Sequence, residues 1–128
     1  MYFPLPIHLA KNLSERQNPQ QTEMLRAALK MLILKSLESN AGPMPGFGIA
    51  LYISQISGDV LEVEEGSLYA ALRRLAHQGW VKAKWGQSDN NRRARFYTLT
   101  PAGRKQLRQE MADFERVLEA IMRVLQPA

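Results

Sequence analysis

One short segment, residues 65–81, constrains the fold of this chain more than any other part of it. Leu68, Leu72 and Leu75 recur at the spacing i, i+4 and i+7, so a helix carries all three on one face, which is predicted to pack against a core. Gly79 predicts the end of this helix, because glycine is favoured just beyond a helix C-terminus. The opposite face carries small or cationic side chains: Ala70, Arg73, Arg74 and His77.

A basic β-hairpin is predicted directly after this helix. Residues 80–85 alternate between apolar and cationic side chains, as a half-exposed strand does. Residues 86–91 have the composition of a turn, and residues 92–99 form the predicted return strand. The inward face of that strand stays open, because Phe96 and Leu99 differ in parity.

Positive charge is concentrated in the same helix and hairpin. The chain has 17 Lys and Arg against 12 Asp and Glu, a net charge of +5. Ten of these basic residues lie between Arg73 and Arg108, together with a single acid, Asp89. Charge placed on a helix and a hairpin, rather than on a tail, indicates a surface that binds phosphate groups. The alternative is a solvated basic face.

Two helices are predicted upstream. Residues 22–40 keep one face apolar, with Thr22 as the predicted N-cap, and the Gly- and Pro-rich residues 42–46 end this helix. Residues 47–57 form the second helix, with Ile49, Ile53 and Ile56 facing inward. Residues 60–63 are a short extended piece that leads into the helix that begins at residue 65.

The last helix begins at Thr100 and Pro101, with Thr as N-cap and Pro at the first helical position. Its apolar residues are spaced 4, 3, 4, 3 and 4 apart, as in a coiled coil. This spacing predicts a dimer interface made by Leu107, Met111, Phe114, Leu118, Ile121 and Leu125. Packing of this seam within one monomer is the alternative.

Three segments are therefore expected. Residues 1–21 form an N-terminal extension, either flexible or an arm that binds a partner. Residues 22–99 form the central domain, and residues 100–128 form the dimerisation helix. No run of about 20 apolar residues is present, so no membrane segment is expected. The absence of cysteine fits a reducing cytoplasm.

Enzyme chemistry has little support in the sequence. His8 and His77 are far apart, and no metal-binding or nucleotide-binding motif is present. We therefore expect no catalytic residues, no metal and no cofactor. Trp80 and Trp85 are either packing residues or rings that stack on a ligand or base.

Four segments together resemble the PadR family of bacterial transcriptional regulators: residues 45–49, residues 65–69 with 71–75, residues 79–81, and residues 92–100 with Gly103. The resemblance covers about residues 25–125. It implies a mainly α fold with a β-hairpin, a winged helix-turn-helix with a C-terminal dimerisation helix, as in the family's short subgroup. The helix that begins at residue 65 and ends before Gly79 then corresponds to the recognition helix, and the hairpin corresponds to the wing.

The resemblance also implies a function. In the family, the start of the recognition helix contacts DNA, and by motif match this role falls on Ser67 and Tyr69, with Arg73 and Arg74 further along. With the outward face and the wing, the predicted DNA-binding residues are Ser67, Tyr69, Ala70, Arg73, Arg74, His77, Arg92, Arg93 and Arg95. The chain departs from the family at Ala70, where proline is usual.

The function predicted from the sequence is a ligand-responsive repressor that acts as a homodimer on an inverted-repeat operator in double-stranded DNA. A small-molecule effector is expected between the two C-terminal helices. Some family members bind flat aromatic compounds between tryptophans there, whereas Phe114 is the only aromatic residue of this helix. The alternative function is a winged-helix protein-interaction module without specific DNA binding.

Overall fold

Four helices and three strands make up the part of the chain that the structure describes. The structure is a computed structural model that describes residues 19–127, with side chains from Glu23 onward. In chain order the elements are α1 (Pro19–Ser39), β1 (Met44–Pro45), α2 (Gly46–Ile56), α3 (Glu65–His77), β2 (Val81–Gln87), β3 (Arg93–Leu99) and α4 (Pro101–Leu125).

The first helix begins earlier than the sequence predicted. Helix α1 starts at Pro19, so Thr22 lies inside the helix and its prediction as N-cap is wrong. Proline suits a first helical position because its φ is already helical and its missing N–H has no partner to lose there. The helix crosses the boundary predicted between residues 21 and 22. Residues 1–18 of the predicted extension lie outside the described residues.

Helices α2 and α3 form a helix-turn-helix unit. The predicted range of α2 is confirmed to within one residue, and Ile49 and Ile53 are buried as expected. The prediction that Ile56 faces inward is wrong: this side chain is 70% exposed. Ile56 is the last residue of α2 and lies beyond the packed part of the helix. Gly58 and Asp59, both with positive φ, then turn the chain toward α3.

The leucine face of α3 lies at the centre of the core. Leu68, Leu72 and Leu75 are each at most 3% exposed, which confirms the predicted phase of this helix. Helix α1 packs against α2, α3 and β3, and supplies the largest share of the remaining core. Its buried apolar residues are Leu29, Ile33, Leu34 and Leu37.

The three strands form an antiparallel sheet in the order β1-β3-β2. In the β2–β3 hairpin, Val81 pairs with Leu99 and Ala83 pairs with Tyr97. Val81 and Tyr97 are buried, so this face of the sheet is the one that packs on the helices. Phe96 therefore points to the other face. Leu99, rather than Phe96, lies on the inward face of β3, a choice that the sequence left open.

The C-terminus of α3 is fastened to the N-terminus of α4. Helix α3 ends in a Schellman motif: the Trp80 N–H donates to the Leu75 carbonyl at 3.0 Å, and Gly79 has a φ of +81°. The Thr100 hydroxyl donates to the Gly79 carbonyl at 2.7 Å and accepts from the Gly103 N–H at 2.9 Å. Thr100 is thus the N-cap of α4, as predicted.

Ion pairs join α1 to α4 on the other side of the core. The Glu38 carboxylate, only 11% exposed, accepts hydrogen bonds from Lys35 on its own helix and from Arg104 and Arg108 on α4. Burial alone raises the pKa of Glu38, but the hydrogen bonds from Lys35 and Arg108 outweigh it and hold the pKa below its ordinary value. These contacts fix the first turns of α4 against the domain.

The described residues therefore have the architecture of a winged helix-turn-helix domain followed by one long helix. The predicted fold class, mainly α with a β-hairpin, is confirmed. The role of α4 in dimerisation and the division into three segments stay predictions.

Replacement of Gly103 tests the junction between α3 and α4. A Cβ atom at Gly103 would lie 2.0 Å from the Trp80 carbonyl oxygen and 2.8 Å from Leu99 Cδ1. We expect Gly103→Ala to lower the free energy of unfolding by about 3 kcal/mol, because backbone must move to relieve the overlap. Chemical denaturation measures this change.

The matched control is Gly66→Ala, since Gly66 is also in the first turn of a helix and a Cβ there meets no atom within 4 Å. We expect this variant to be unchanged or stabilised by up to about 1 kcal/mol. Equal stability of the two variants would contradict the close approach at Gly103.

Candidate nucleic-acid interface

The outward face of α3 presents cations to solvent. Arg73, Arg74 and His77 are exposed, and Ala70 is half-buried beside them. These four positions face away from the leucines because their side chains differ from Leu68 and Leu72 in helical phase. Neither Arg73 nor Arg74 is in an ion pair with any residue in the described range 19–127. The helix therefore offers a cationic surface that its own domain does not neutralise.

The first turn of α3 carries acidic rather than basic side chains at its surface. The half-buried Ser67 donates its hydroxyl to the Glu64 carboxylate at 3.3 Å. Glu64 and Glu65 are both exposed at this positive end of the helix dipole, where carboxylates are favoured. Ser67 must therefore exchange its partner, or use its remaining acceptor capacity, to bind anything else.

Tyr69 lies against the neighbouring helix of the helix-turn-helix unit. A Cβ atom at Gly46 would lie 2.5 Å from the Tyr69 hydroxyl oxygen, so any larger residue at position 46 would displace this ring. Burial raises the pKa of Tyr69, and the neighbouring Tyr97 and Glu65 act in the same direction. The phenol is therefore neutral at physiological pH and only half exposed. The sequence predicted Tyr69 as a DNA-binding residue. No signal in the sequence showed that its ring packs over Gly46.

The wing carries cations on both faces. Arg93 and Arg95 share one face of β3 with the ring of Trp85 on β2, and all three are exposed. Lys82 and Lys84 lie on the opposite face, beside Phe96 and Thr98, where they line an open groove of about 720 Å³. Arg92, also exposed, precedes β3 in the turn.

The two tryptophans have different environments. Trp80 is half-buried against the core, with the Lys30 ammonium 5.3 Å from its ring centroid. Trp85 is 54% exposed, with the guanidinium carbons of Arg93 and Arg95 4.7 Å and 5.5 Å from its ring centroid. The packing interpretation therefore fits Trp80, whereas Trp85 belongs to the cationic surface of the wing.

The predicted apolar seam of α4 packs against its own domain at its start and is exposed to solvent further along. Leu107 is 0% exposed inside its own domain, so its prediction as a dimer-interface residue is wrong: no surface remains for a partner. Met111 is half-buried against the same core. The remaining four seam residues are 43–70% exposed: Phe114, Leu118, Ile121 and Leu125. Val117 and Met122, which are exposed too, widen this apolar stripe.

A metal site and a membrane-spanning helix are both absent from residues 19–127. No three His, Cys, Asp or Glu side chains in this range are grouped to hold a metal ion. No helix in the range is long and apolar enough to span a membrane.

The chain belongs to the PadR-like family of transcriptional regulators, whose model matches residues 33–109, more than half of its length. The resemblance inferred from the sequence is thereby confirmed. Membership in a family of transcriptional regulators also confirms the prediction that the chain is not an enzyme.

Solved structures of other proteins share the fold. A transcriptional regulator from Clostridium thermocellum is similar with a TM-score of 0.73 and 25% identity, over 81% of this chain and 99% of that chain. PadR of Bacillus subtilis, solved in complex with operator DNA, has a TM-score of 0.57 and 24% identity. That match covers 66% of this chain and 47% of the Bacillus protein.

A curated relative is longer than this chain. An uncharacterized 37.1 kDa protein in a transposon of Streptomyces fradiae is 38% identical over 88 residues, which are 69% of this chain. The match spans only 23% of the length of that relative.

Proposed function

We propose that the protein is a homodimeric repressor that binds an inverted-repeat operator in double-stranded DNA, acts in the cytoplasm and responds to a small-molecule effector. The observation that carries the proposal is the unneutralised cationic surface formed by the outward face of α3 and by the wing. Its arginines are Arg73, Arg74, Arg92, Arg93 and Arg95, and none is in an ion pair with a residue of the described range.

The shape of this surface suits duplex DNA. A helix fits the major groove of B-DNA, and its N-terminal residues reach base edges. The wing follows α3 directly and carries its arginines beyond the helical core, where the adjacent DNA backbone lies in such complexes. The operator complex of the Bacillus subtilis relative supports this assignment by similarity of fold.

The dimer rests on the exposed apolar stripe of α4. Phe114, Leu118 and Ile121 lie on one side of the helix and are 43–48% exposed. A stripe of this kind on a soluble chain marks an interaction surface. A second copy is the simplest partner, because a two-fold axis then pairs the stripe with itself and presents two recognition helices to one inverted repeat.

An effector acting between the two α4 helices would reach the DNA through the backbone. Because α4 begins against the end of α3, a change in the angle between the paired α4 helices moves the recognition helices apart or together. Repression and release then correspond to two separations of the recognition helices. Only one of them matches the half-site spacing of about one helical turn.

Salt dependence tests the electrostatic part of the proposal. We expect affinity for operator DNA selected from a random pool to fall by about 10³–10⁵ between 50 and 200 mM salt, since a dimer with about 6–10 phosphate contacts releases that many counterions. Fluorescence anisotropy with a labelled duplex of about three helical turns measures it. No binding even at 50 mM salt would favour the interaction-module function instead.

The recognition helix and the wing are expected to contribute differently to binding. Arg93→Ala should weaken binding to all sequences by a similar factor and lower the salt slope by about 1, as loss of a phosphate contact does. Ser67→Ala or Arg73→Ala should also relax base preference, by about 1–3 kcal/mol where a base contact is lost. Competition binding with single-base operator variants separates the two effects. A change in base preference in Arg93→Ala alone would reverse the assignment.

Leu118→Glu tests the dimer. The carboxylate would be buried without a partner in the proposed interface, which costs several kcal/mol. We expect the variant to sediment as a folded monomer, because Leu118 is exposed in the single chain and its own core does not need it. Gln109→Glu, at an exposed polar position of the same helix, is the control and should remain a dimer. A folded Leu118→Glu dimer would exclude this interface.

A further inference from the structure

The wing contains an aromatic ring that its own domain leaves largely uncovered. Trp85 is 54% exposed, although it is the largest apolar side chain of the hairpin. The guanidinium carbon of Arg93 lies 4.7 Å from its ring centroid and that of Arg95 lies 5.5 Å away. Both distances are within the range of a cation–π interaction.

We propose that Trp85 is a positioning residue: its ring holds the guanidinium groups of Arg93 and Arg95 close together on the wing. The two guanidinium groups then bind DNA phosphate jointly. The inference deepens the proposed DNA-binding function and rests on it. In this proposal the ring of Trp85 does not contact a DNA base.

The register of the hairpin brings these three side chains together. Trp85 on β2 pairs directly with Arg95 on β3, and the next pair toward the turn on the same face is Gln87 with Arg93. Directly opposed residues project to the same face, and Arg93 is the diagonal neighbour of Trp85 on that face. The cluster is therefore a product of strand pairing rather than of one chance rotamer.

This face of the hairpin is also the one that packs on the helical core. On the same face, Val81 lies four residues before Trp85 on β2 and Tyr97 lies two residues after Arg95 on β3, and both are buried. Trp85 continues the row past the edge of the core. The arginine pair thus lies on the same face of the hairpin as the buried Val81 and Tyr97, whereas Lys82 and Lys84 lie on the other face.

The arrangement favours a polyanionic partner. Two guanidinium groups near one ring repel each other, and neither arginine is in an ion pair with a residue in the described range 19–127. A phosphate group between them would relieve this repulsion and accept the charge-assisted hydrogen bonds that guanidinium forms well. Because the ring already restricts both side chains, less conformational entropy is lost when DNA binds.

A thermodynamic cycle on the full-length protein tests the inference. Affinity for the selected operator duplex is measured at constant salt for the wild type, Trp85→Ala, the double variant Arg93→Ala/Arg95→Ala, and the triple variant. We expect Trp85→Ala to weaken binding about three- to tenfold when both arginines are present. In the Arg93→Ala/Arg95→Ala background it should weaken binding less than about twofold, since a residue that acts through others loses its effect when they are absent.

Two controls separate positioning from a general structural role. Gln87→Ala, exposed on the same strand and the same face, should bind like the wild type. Trp85→Phe, which keeps a weaker aromatic face, should fall between the wild type and Trp85→Ala. Thermal melting establishes that each variant is folded, and Trp85→Leu enters the cycle in place of Trp85→Ala if the latter is not.

The results of the cycle distinguish a positioning role of Trp85 from direct contact with DNA and from no role in binding. An equal loss from Trp85→Ala in both backgrounds would mean that the ring contacts DNA itself, and no loss in either would mean that it has no part in binding. Both results overturn the positioning role while leaving the proposed function intact. Failure of the wild-type protein to bind DNA at low salt would instead overturn the proposed function.

Discussion

The contact between the end of α3 and the start of α4 is the constraint on which the rest of the structure depends. Thr100 bonds to the Gly79 carbonyl, its own N–H bonds to the Trp80 carbonyl, and Gly103 packs directly on that same carbonyl. The recognition helix ends, the wing begins and the long helix begins within this one cluster. None of the three can rotate against the others without breaking several hydrogen bonds, so the junction fixes the orientation of the wing and of α4 relative to α3.

Positive charge has two separate uses in this chain. Arg104 and Arg108 pair with Glu38 and hold α4 to the core, although they belong to the same basic segment of the sequence, residues 73–108, as the wing arginines. Arg73, Arg74 and the wing arginines have no such partner within the described residues. The surface proposed to bind DNA is therefore smaller than the local net charge of the sequence indicates, and it is confined to α3 and the hairpin.

Periodicity predicted which face of each element is apolar but not what covers that face. The leucines of α3 and the boundaries of α2 could be predicted, because short-range spacing determines them. The exposure of Ile56 and the burial of Leu107 could not, since both depend on where neighbouring helices end. The ring of Tyr69 over Gly46 and the arginines around Trp85 were also missed, because they arise from contacts between elements, for which spacing along one element carries no signal.

The division of the α4 seam explains how one uninterrupted apolar repeat can serve two purposes. Its first turns are fixed to the domain by Leu107 and Gly103, and the stripe from Phe114 to Leu125 continues for about 17 Å with no core of its own. Because the repeat is continuous, the angle at which this stripe faces outward is fixed by the packing of Leu107. Pairing two such stripes around a two-fold axis would then leave few adjustable angles between the two recognition helices. In the proposed dimer, the half-site spacing of the operator is therefore a consequence of packing inside each protomer as much as of the interface itself.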